Sequence, residues 1–310
     1  MQMKNILVVY YTQTGQAKEA LDSVLIPFIN NADYKLHYLL VKSKVPFPFP
    51  WKYTEFFDMF PETVQGVACE LEPISIDDSI KYDLIILGYQ PWFLSICIPI
   101  NSFLKSEKAK LIFNNTQVVT LINCRNMWIS AQEKMKKMLL SVNANLVGNI
   151  TFVDRSANLV SLVTVLAFIL KGKKENFLGM FPKYGVNPND LANGKIYGNL
   201  LKTHLEKNNL NELQHELIKN NSVNIRSNIM IMEGRGSLLF PHYANFITKK
   251  GKAGSKERRT RVRVFGILLP TVILLASPII TIISRLAPIF AKKKLQKQID
   301  YYSQNSLKSM

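Results

Sequence analysis

The chain has 310 residues, 47% of them apolar, which is enough for a packed core and excludes a disordered tail or a disulfide-stapled miniprotein. Its formal net charge is +17, but residues 249–310 hold 14 of the 39 Lys and Arg against only Glu257 and Asp300, a local charge of +12. The other 248 residues carry +5, which argues against a nucleic-acid footprint spread over a folded face and confines the basic character to the C-terminal segment.

Residues 5–10 read Asn-Ile-Leu-Val-Val-Tyr, an apolar β-branched run that predicts a strand buried on both faces of a parallel sheet. A polar loop over 11–16 leads into an amphipathic helix over 17–29, with Ala20, Leu21, Val24, Leu25 and Phe28 on one stripe. Residues 34–41 supply a second strand. After it, the alternating prolines of Val45-Pro46-Phe47-Pro48-Phe49-Pro50-Trp51 block both ladder and helix. A third strand over 83–88, a loop over 89–99 and a short helix near 101–105 follow, then a fourth strand over 117–122. Its loop covers 123–126, a helix 127–140 and a fifth strand 146–153. Strands alternating with helices at these intervals predict a doubly wound, three-layer α/β sheet.

Beyond residue 154 the pattern changes. The uncharged run 156–170 is too short to span a bilayer and predicts a buried helix. Asn187-Pro188 has the form of an N-cap followed by proline at the first helical position, opening a last covering helix to about 205. Residues 225–232 suit a strand or an extended arm. Residues 249–263 hold eight basic residues and one acid, and 264–284 are 21 consecutive uncharged residues, long enough to cross the hydrocarbon core. The positive flank favours a cytoplasmic position and attraction to anionic lipids. Lys292, Lys293, Lys294 and Lys297 on the other side, with Pro270 and Pro278 inside the run, make a re-entrant hairpin the rival of a span. The division expected is a core domain over 1–206, an arm packed on it over 207–248, a basic linker over 249–263 and a membrane-anchoring segment with a basic tail over 264–310.

Cys69, Cys97 and Cys124 form neither a paired framework nor a metal-ligand spacing, and the four histidines, His37, His204, His215 and His242, are equally scattered. No metal site is expected. A reducing, cytoplasmic setting fits, with no signal-peptide core at the N-terminus.

Ligands of an open α/β sheet bind beyond the carboxyl ends of its strands, here the loops after Tyr10, Gly88 and Ile122. The first reads Thr12, Gln13, Thr14, Gly15, Gln16, Ala17, with hydroxyls and a glycine directly before a helix. Such a loop offers a phosphate backbone N–H groups, two hydroxyls and the positive end of the helix dipole. It lacks the lysine of a Walker A loop and the three glycines of a dinucleotide fingerprint, so a mononucleotide phosphate fits best.

Val8-Val9-Tyr10-Tyr11-Thr12-Gln13-Thr14-Gly15-Gln16 resembles the FMN phosphate loop of the flavodoxin-like superfamily. Asp83-Leu84-Ile85-Ile86-Leu87-Gly88-Tyr89-Gln90-Pro91-Trp92 resembles its second flavin loop, followed by Pro99 and Phe103 as in its flavin reductases. The resemblance implies a flavodoxin-like five-stranded fold and FMN as cofactor. The phosphate would sit on residues 12–17, the ring against Gln90, Pro91, Trp92 and Phe93, and the pyrimidine edge near Asn123, Cys124 and Asn126. Ala17 stands where many relatives carry a further phosphate-binding threonine, which implies weaker FMN affinity.

The whole chain, including Pro46-Phe47-Pro48-Phe49-Pro50-Trp51, Asn123-Cys124-Arg125-Asn126-Met127-Trp128, Val153-Asp154-Arg155 and the apolar tail, resembles the bacterial proteins of dialkylresorcinol and flexirubin-type pigment biosynthesis labelled "condensing enzyme". That resemblance implies a role beside a ketosynthase and an acyl carrier protein. Carbon–carbon condensation needs a nucleophilic cysteine with paired histidines, a constellation these cysteines lack. The activity expected is therefore FMN-dependent oxidation of a 2,5-dialkylcyclohexane-1,3-dione to the aromatic resorcinol, at the cytoplasmic face of the plasma membrane. Arg125 is the candidate for enolate stabilisation, with a surface salt bridge as its competing role. Asp154 or Tyr53 is the candidate base. Phe47, Phe49, Trp51 and the run 156–170 are candidates for an apolar groove that takes the alkyl chains of a hydrophobic substrate. A membrane-bound NAD(P)H-dependent quinone reductase and a non-catalytic flavodoxin-like membrane adaptor are the alternatives.

Overall fold

The computed structural model describes residues 3–77 and 79–307, with the backbone alone for 177 and 284–290. Residues 1–2, the Arg285 flank of the apolar run and the last three residues of the basic tail lie outside the described side chains. In chain order the first half comprises β1 Lys4–Tyr10, α1 Gln16–Leu25, β2 Tyr34–Leu40, α2 Tyr53–Asp58, α3 Phe60–Gln65, β3 Leu84–Tyr89, β4 Pro91–Trp92, β5 Ser95–Ile96, α4 Ile98–Leu104, α5 Glu107–Phe113 and β6 Gln117–Cys124. The second half comprises α6 Ile129–Ser141, β7 Asn145–Val153, α7 Asn158–Lys171, α8 Pro188–Ala192, α9 Gly194–Glu206, α10 Leu213–Lys219, α11 Ser227–Thr248 and α12 Arg259–Ser303.

Five strands form one parallel sheet in the order β2-β1-β3-β6-β7, the flavodoxin-like doubly wound order with its reversal between β1 and β3. Alternation within β1 assigns its residues to the two faces: Ile6 and Val8 pack under α1, α9 and α10, and Leu7 and Val9 under α4, α5 and α6. Register aligns the strand ends. Tyr10 pairs with Gly88, Gly88 with Leu121 and Tyr89 with Ile122, so the loops that follow β1, β3 and β6 emerge side by side.

The helix expected over 17–29 stops at Leu25 and gives way to a 3-10 turn, Ile26–Phe28, carrying Pro27. The expected last covering helix is two, α8 and α9, and α10 extends the cover of the sheet past residue 206. Close packing of α9 on α1 depends on glycine: a Cβ on Gly198 would lie 2.0 Å from the Val24 carbonyl oxygen.

Residues 225–232 are neither a strand nor an extended arm. From Ser227 they open the 22-residue helix α11, with extended Arg226 at its N-cap, and Ile229, Met230, Ala244 and Ile247 of that helix are buried. A short stretch with five apolar residues in eight and no period-2 alternation is ambiguous between strand and helix, and here packing on the domain decides. Residues 249–263 are not a free linker either. Arg258 is fully buried, its guanidinium bonded to Asp58 Oδ1 at 2.7 Å and bidentate to Glu62 at 2.6 and 3.0 Å, and α12 starts at the next residue. The boundary expected at 263/264 thus falls inside a helix. Aromatic packing fixes the same corner, with Phe60 stacked on Phe265 at 3.8 Å.

α12 runs along the body instead of leaving it. Tyr53 Oη donates to the Gly266 carbonyl at 2.7 Å, and Asn158 Nδ2 donates to Ser277 Oγ at 2.9 Å. Non-helical dihedrals at Ala291 then turn the chain, and Leu295, Ile299 and Tyr302 pack against the sheet's second core. Gln214 Nε2 donates to the Ser303 carbonyl at 2.6 Å, and Tyr301 Oη donates to Glu133 at 2.5 Å.

Candidate functional site at the strand ends

A cavity of about 230 Å3 opens beyond the carboxyl ends of β1, β3 and β6. Gln13, Thr14 and Gln16 from the first loop line it, with Gln90, Pro91, Trp92 and Phe93 from the second and Asn123, Cys124 and Arg125 from the third. Two hydrogen bonds tie the first loop to its neighbours. Gln13 Nε2 donates to the Pro48 carbonyl at 2.8 Å, and Asn123 Nδ2 to the Gln16 carbonyl at 3.4 Å.

The first loop keeps its donors free. Gly15, at φ 84°, turns the chain into α1 in the left-handed region that glycine tolerates, and a Cβ built there would meet no atom within 4 Å. No side chain caps α1, so its first N–H groups lack a capping partner. Thr12 Oγ1 is buried without a hydrogen-bond partner. Gly15, Thr12 and Ala17 do not themselves line the cavity; Ala17 is buried in the core behind the loop. An orphaned hydroxyl, uncapped amides and open space at a helix N-terminus are what a phosphate group requires. The residues present fit an FMN phosphate.

The second loop is a tight hairpin. β4 and β5 pair antiparallel, and both turn residues, Phe93 at φ 45° and Leu94 at φ 59°, are left-handed. Such turns favour Asn-Gly, and a bulky side chain at each position costs about 1–2 kcal/mol. Packing holds the strain: Phe93 sits between Phe56 at 5.1 Å and Phe60 at 5.3 Å. Trp92 is half-buried, edge-on to Tyr11 at 5.7 Å and to Phe47 at 5.1 Å, with a face of the cavity as its remaining surroundings.

Arg125 makes no ion pair among the described residues. Its guanidinium lies deep in the protein yet keeps a face on the cavity, and Nη1 donates to Asn158 O at 3.1 Å, Asn158 Oδ1 at 3.1 Å and Ser161 Oγ at 3.2 Å. Burial pushes its pKa down to about 10, which leaves it charged at neutral pH. The surface salt bridge considered for it does not form. Cys124 beside it is buried, and burial raises its thiol far above the ordinary range, so it is an inert wall. Asn126 turns away from the cavity, donating to Asn158 Oδ1 at 3.0 Å.

Asp154 does not line the cavity. Its Oδ1 accepts from Ser156 N at 2.8 Å, closing the turn before α7, and its Oδ2 is buried without a partner. Tyr53 is tied to α12 through Gly266. The apolar walls come from Phe49 and Trp51 of the proline loop and from α7, whose Leu162, Val165, Leu166 and Ile169 face the cavity. α7 is half-buried, not a core helix. Phe47 stands behind that wall, packed on Trp92 and, at 6.1 Å, on Trp51.

Sequence reasoning missed Tyr184, which lines the cavity with its ring stacked on Phe168 at 4.9 Å, in a segment without periodicity. Burial raises its hydroxyl well above the ordinary tyrosine range, so it remains a donor. It also missed Asn158, which joins Arg125 and Asn126 to Ser277, and the roof formed by Phe240 of α11 with Leu269, Pro270 and Ile273 of α12.

Several solved structures are similar to part of the chain. A flavoprotein in complex with FMN from Lactobacillus acidophilus NCFM is 20% identical, with a TM-score of 0.39, over 48% of this chain and 93% of its own. The two-electron reduced flavodoxin of Megasphaera elsdenii is 14% identical, with a TM-score of 0.30, over 49% and 88%. The Trp repressor binding protein of Bacillus subtilis is 10% identical, with a TM-score of 0.30, over 56% and 100%. No protein-family model matches the chain, and no curated protein matches it.

Proposed function

We propose that the protein is an FMN-dependent oxidoreductase that aromatises a 2,5-dialkylcyclohexane-1,3-dione to a dialkylresorcinol. The observation that carries the reading is one chamber with two kinds of wall. At one end Thr14 and Gln16 of the first loop line it, with the uncapped α1 amides and the unpartnered Thr12 hydroxyl in the same loop; at the other, Arg125, which makes no ion pair among the described residues, stands beside an apolar trough. The two-chained cyclic dione is the substrate that the sequence resemblance implies, and the trough and the guanidinium facing the cavity suit it.

Thr12, Thr14 and the amides of 15–17 hold the phosphate, Gln90 to Phe93 wall the ring, and Asn123 bonds the first loop and faces the cavity from the third. When bound, FMN supplies a two-electron acceptor for a ring hydride. Arg125 holds the enolate oxygen of the acidic dione, its other bonds to Asn158 and Ser161 fixing the guanidinium plane. Tyr184 offers a hydrogen bond to the same region. The alkyl chains lie along Leu162, Val165, Leu166 and Ile169, and the apolar roof excludes water.

Purified full-length protein should bind FMN with one site per chain, quenching its fluorescence. Anaerobic addition of a dialkylcyclohexanedione should bleach the flavin bands and yield the resorcinol. Protein that neither carries nor takes up FMN overturns the reading in favour of the adaptor, and bleaching by NADPH but not by the dione overturns it in favour of a quinone reductase.

A further inference from the structure

Burial along the first stretch of α12 follows the helical period. Val262, Phe265, Gly266 and Ser277 are buried on one face, and Leu269 and Ile273 on that face roof the cavity. The opposite face carries Val264, Ile267, Leu274, Leu275, Ile279 and Ile282, all exposed. A roof helix facing water would be polar there, and this one is apolar on both sides. α11 repeats the arrangement: Phe240 faces the cavity, and Leu238 and Leu239 point outward. Leu238, Ile267 and Leu275 are each at least 65% exposed, as parts of one two-helix surface.

Charge says what covers this surface. Exposed Lys249, Lys250, Lys252, Lys256, Arg259 and Arg263 stand at one end of the apolar face, and exposed Lys292, Lys293, Lys294 and Lys297 at the other. Arg258 and Ser303, close to those two ends, are both bonded to the same globular body. The stretch Arg259–Ile283 is long and apolar enough to cross a bilayer. A span would separate its two ends by the membrane and break one set of these bonds. A helix lying in the plane of one leaflet satisfies both, with cations at either end on anionic headgroups.

We propose that the protein is monotopic: the outer faces of α11 and α12 sit in one leaflet of an anionic bilayer, and the same two helices roof the cavity. A lipophilic ligand then passes between leaflet and site without crossing bulk water. The membrane seat stands apart from the proposed reaction; only the identity of the ligand rests on it.

The test uses the full chain and vesicles of phosphatidylcholine with or without phosphatidylglycerol. The protein should float with the vesicles, at least tenfold more with the anionic lipid present. Lys256→Cys and Lys297→Cys, each in a Cys69→Ser background, should both react with a membrane-impermeant maleimide added outside; protection of one and not the other shows a span and overturns the proposal. The Ile267→Glu/Leu275→Glu/Ile279→Glu variant should lose vesicle binding at least tenfold with its circular dichroism and FMN affinity unchanged. Unchanged vesicle binding by that variant overturns the proposal, as does a dimer that the variant dissociates in protein that never binds vesicles. Failure of FMN to bind either protein would sink the proposed reaction and leave these outcomes as they are.

Discussion

Arg125 is a guanidinium bonded to amide and hydroxyl oxygens and, among the described residues, ion-paired to no carboxylate, with Asp154 acting on it only from a distance. A desolvated cation without an ion-pair partner is costly, and its bonds to Asn158 and Ser161 and the more distant Asp154 offset only part of the desolvation. An anionic ligand relieves the remainder, so the residue favours the charged, enolate form of a dione over its neutral form. Replacing it by methionine, Arg125→Met, should lower turnover of the dione by about 100-fold while FMN affinity stays the same, a separation that paired kinetic and fluorescence titrations reveal. Thr12 makes the complementary test. Thr12→Val removes an unpartnered hydroxyl without disturbing any bond within the protein, so FMN affinity should fall by about tenfold, whereas riboflavin, which lacks the phosphate, should bind as before.

At the scale of elements, two buried ionisable side chains dock the C-terminal helices. Glu233 of α11 is 1% exposed, and its Oε1 accepts from Ser130 N at 2.6 Å, at the N-terminus of α6. Burial pushes its pKa up to about 7 from an ordinary 4.5, the hydrogen bonds from 128–130 opposing the shift. The folded protein therefore holds this proton more tightly than the unfolded chain. The stabilisation is complete below the unfolded value and is lost as pH rises through about 7, a change on the order of 3 kcal/mol. Urea midpoints should fall between about pH 5 and pH 8 in the wild type and stay level in Glu233→Gln. Arg258 pins the start of α12 through Asp58 and Glu62. Arg258→Met leaves two acids facing an apolar stem and should cost about 3 kcal/mol, read as a lower urea midpoint. Gly198 governs the other layer: with the Val24 carbonyl where a methyl would go, Gly198→Ala should cost about 3 kcal/mol by forcing α9 off α1.

Across the whole molecule, one chamber is closed by parts far apart in the chain: strand-end loops, the proline loop, α7 and the roof of α11 and α12. The strand-end loops were legible because a buried parallel strand needs an unbroken apolar run, and a phosphate loop needs its hydroxyls and glycine adjacent to each other before a helix. The division of residues 249–310 into linker and span was not. Charge and hydropathy register that a segment is basic or apolar and are blind to Asp58 and Glu62, nearly 200 residues away, which take Arg258 out of solvent. Tyr184 and Glu233 were invisible for the same reason, since each owes its setting to neighbours from other elements. By itself, then, the sequence determined the strand order's raw material, the strand-end loops and the basic, apolar character of the tail, all of which are encoded in contiguous residues. The packing of distant elements settles that Arg125 forms no ion pair among the described residues, that Asp154 closes a turn instead of facing the chamber, and that α12 stays on the body along its length. Those outcomes depend on which side chains meet across the fold, and local periodicity carries no record of that.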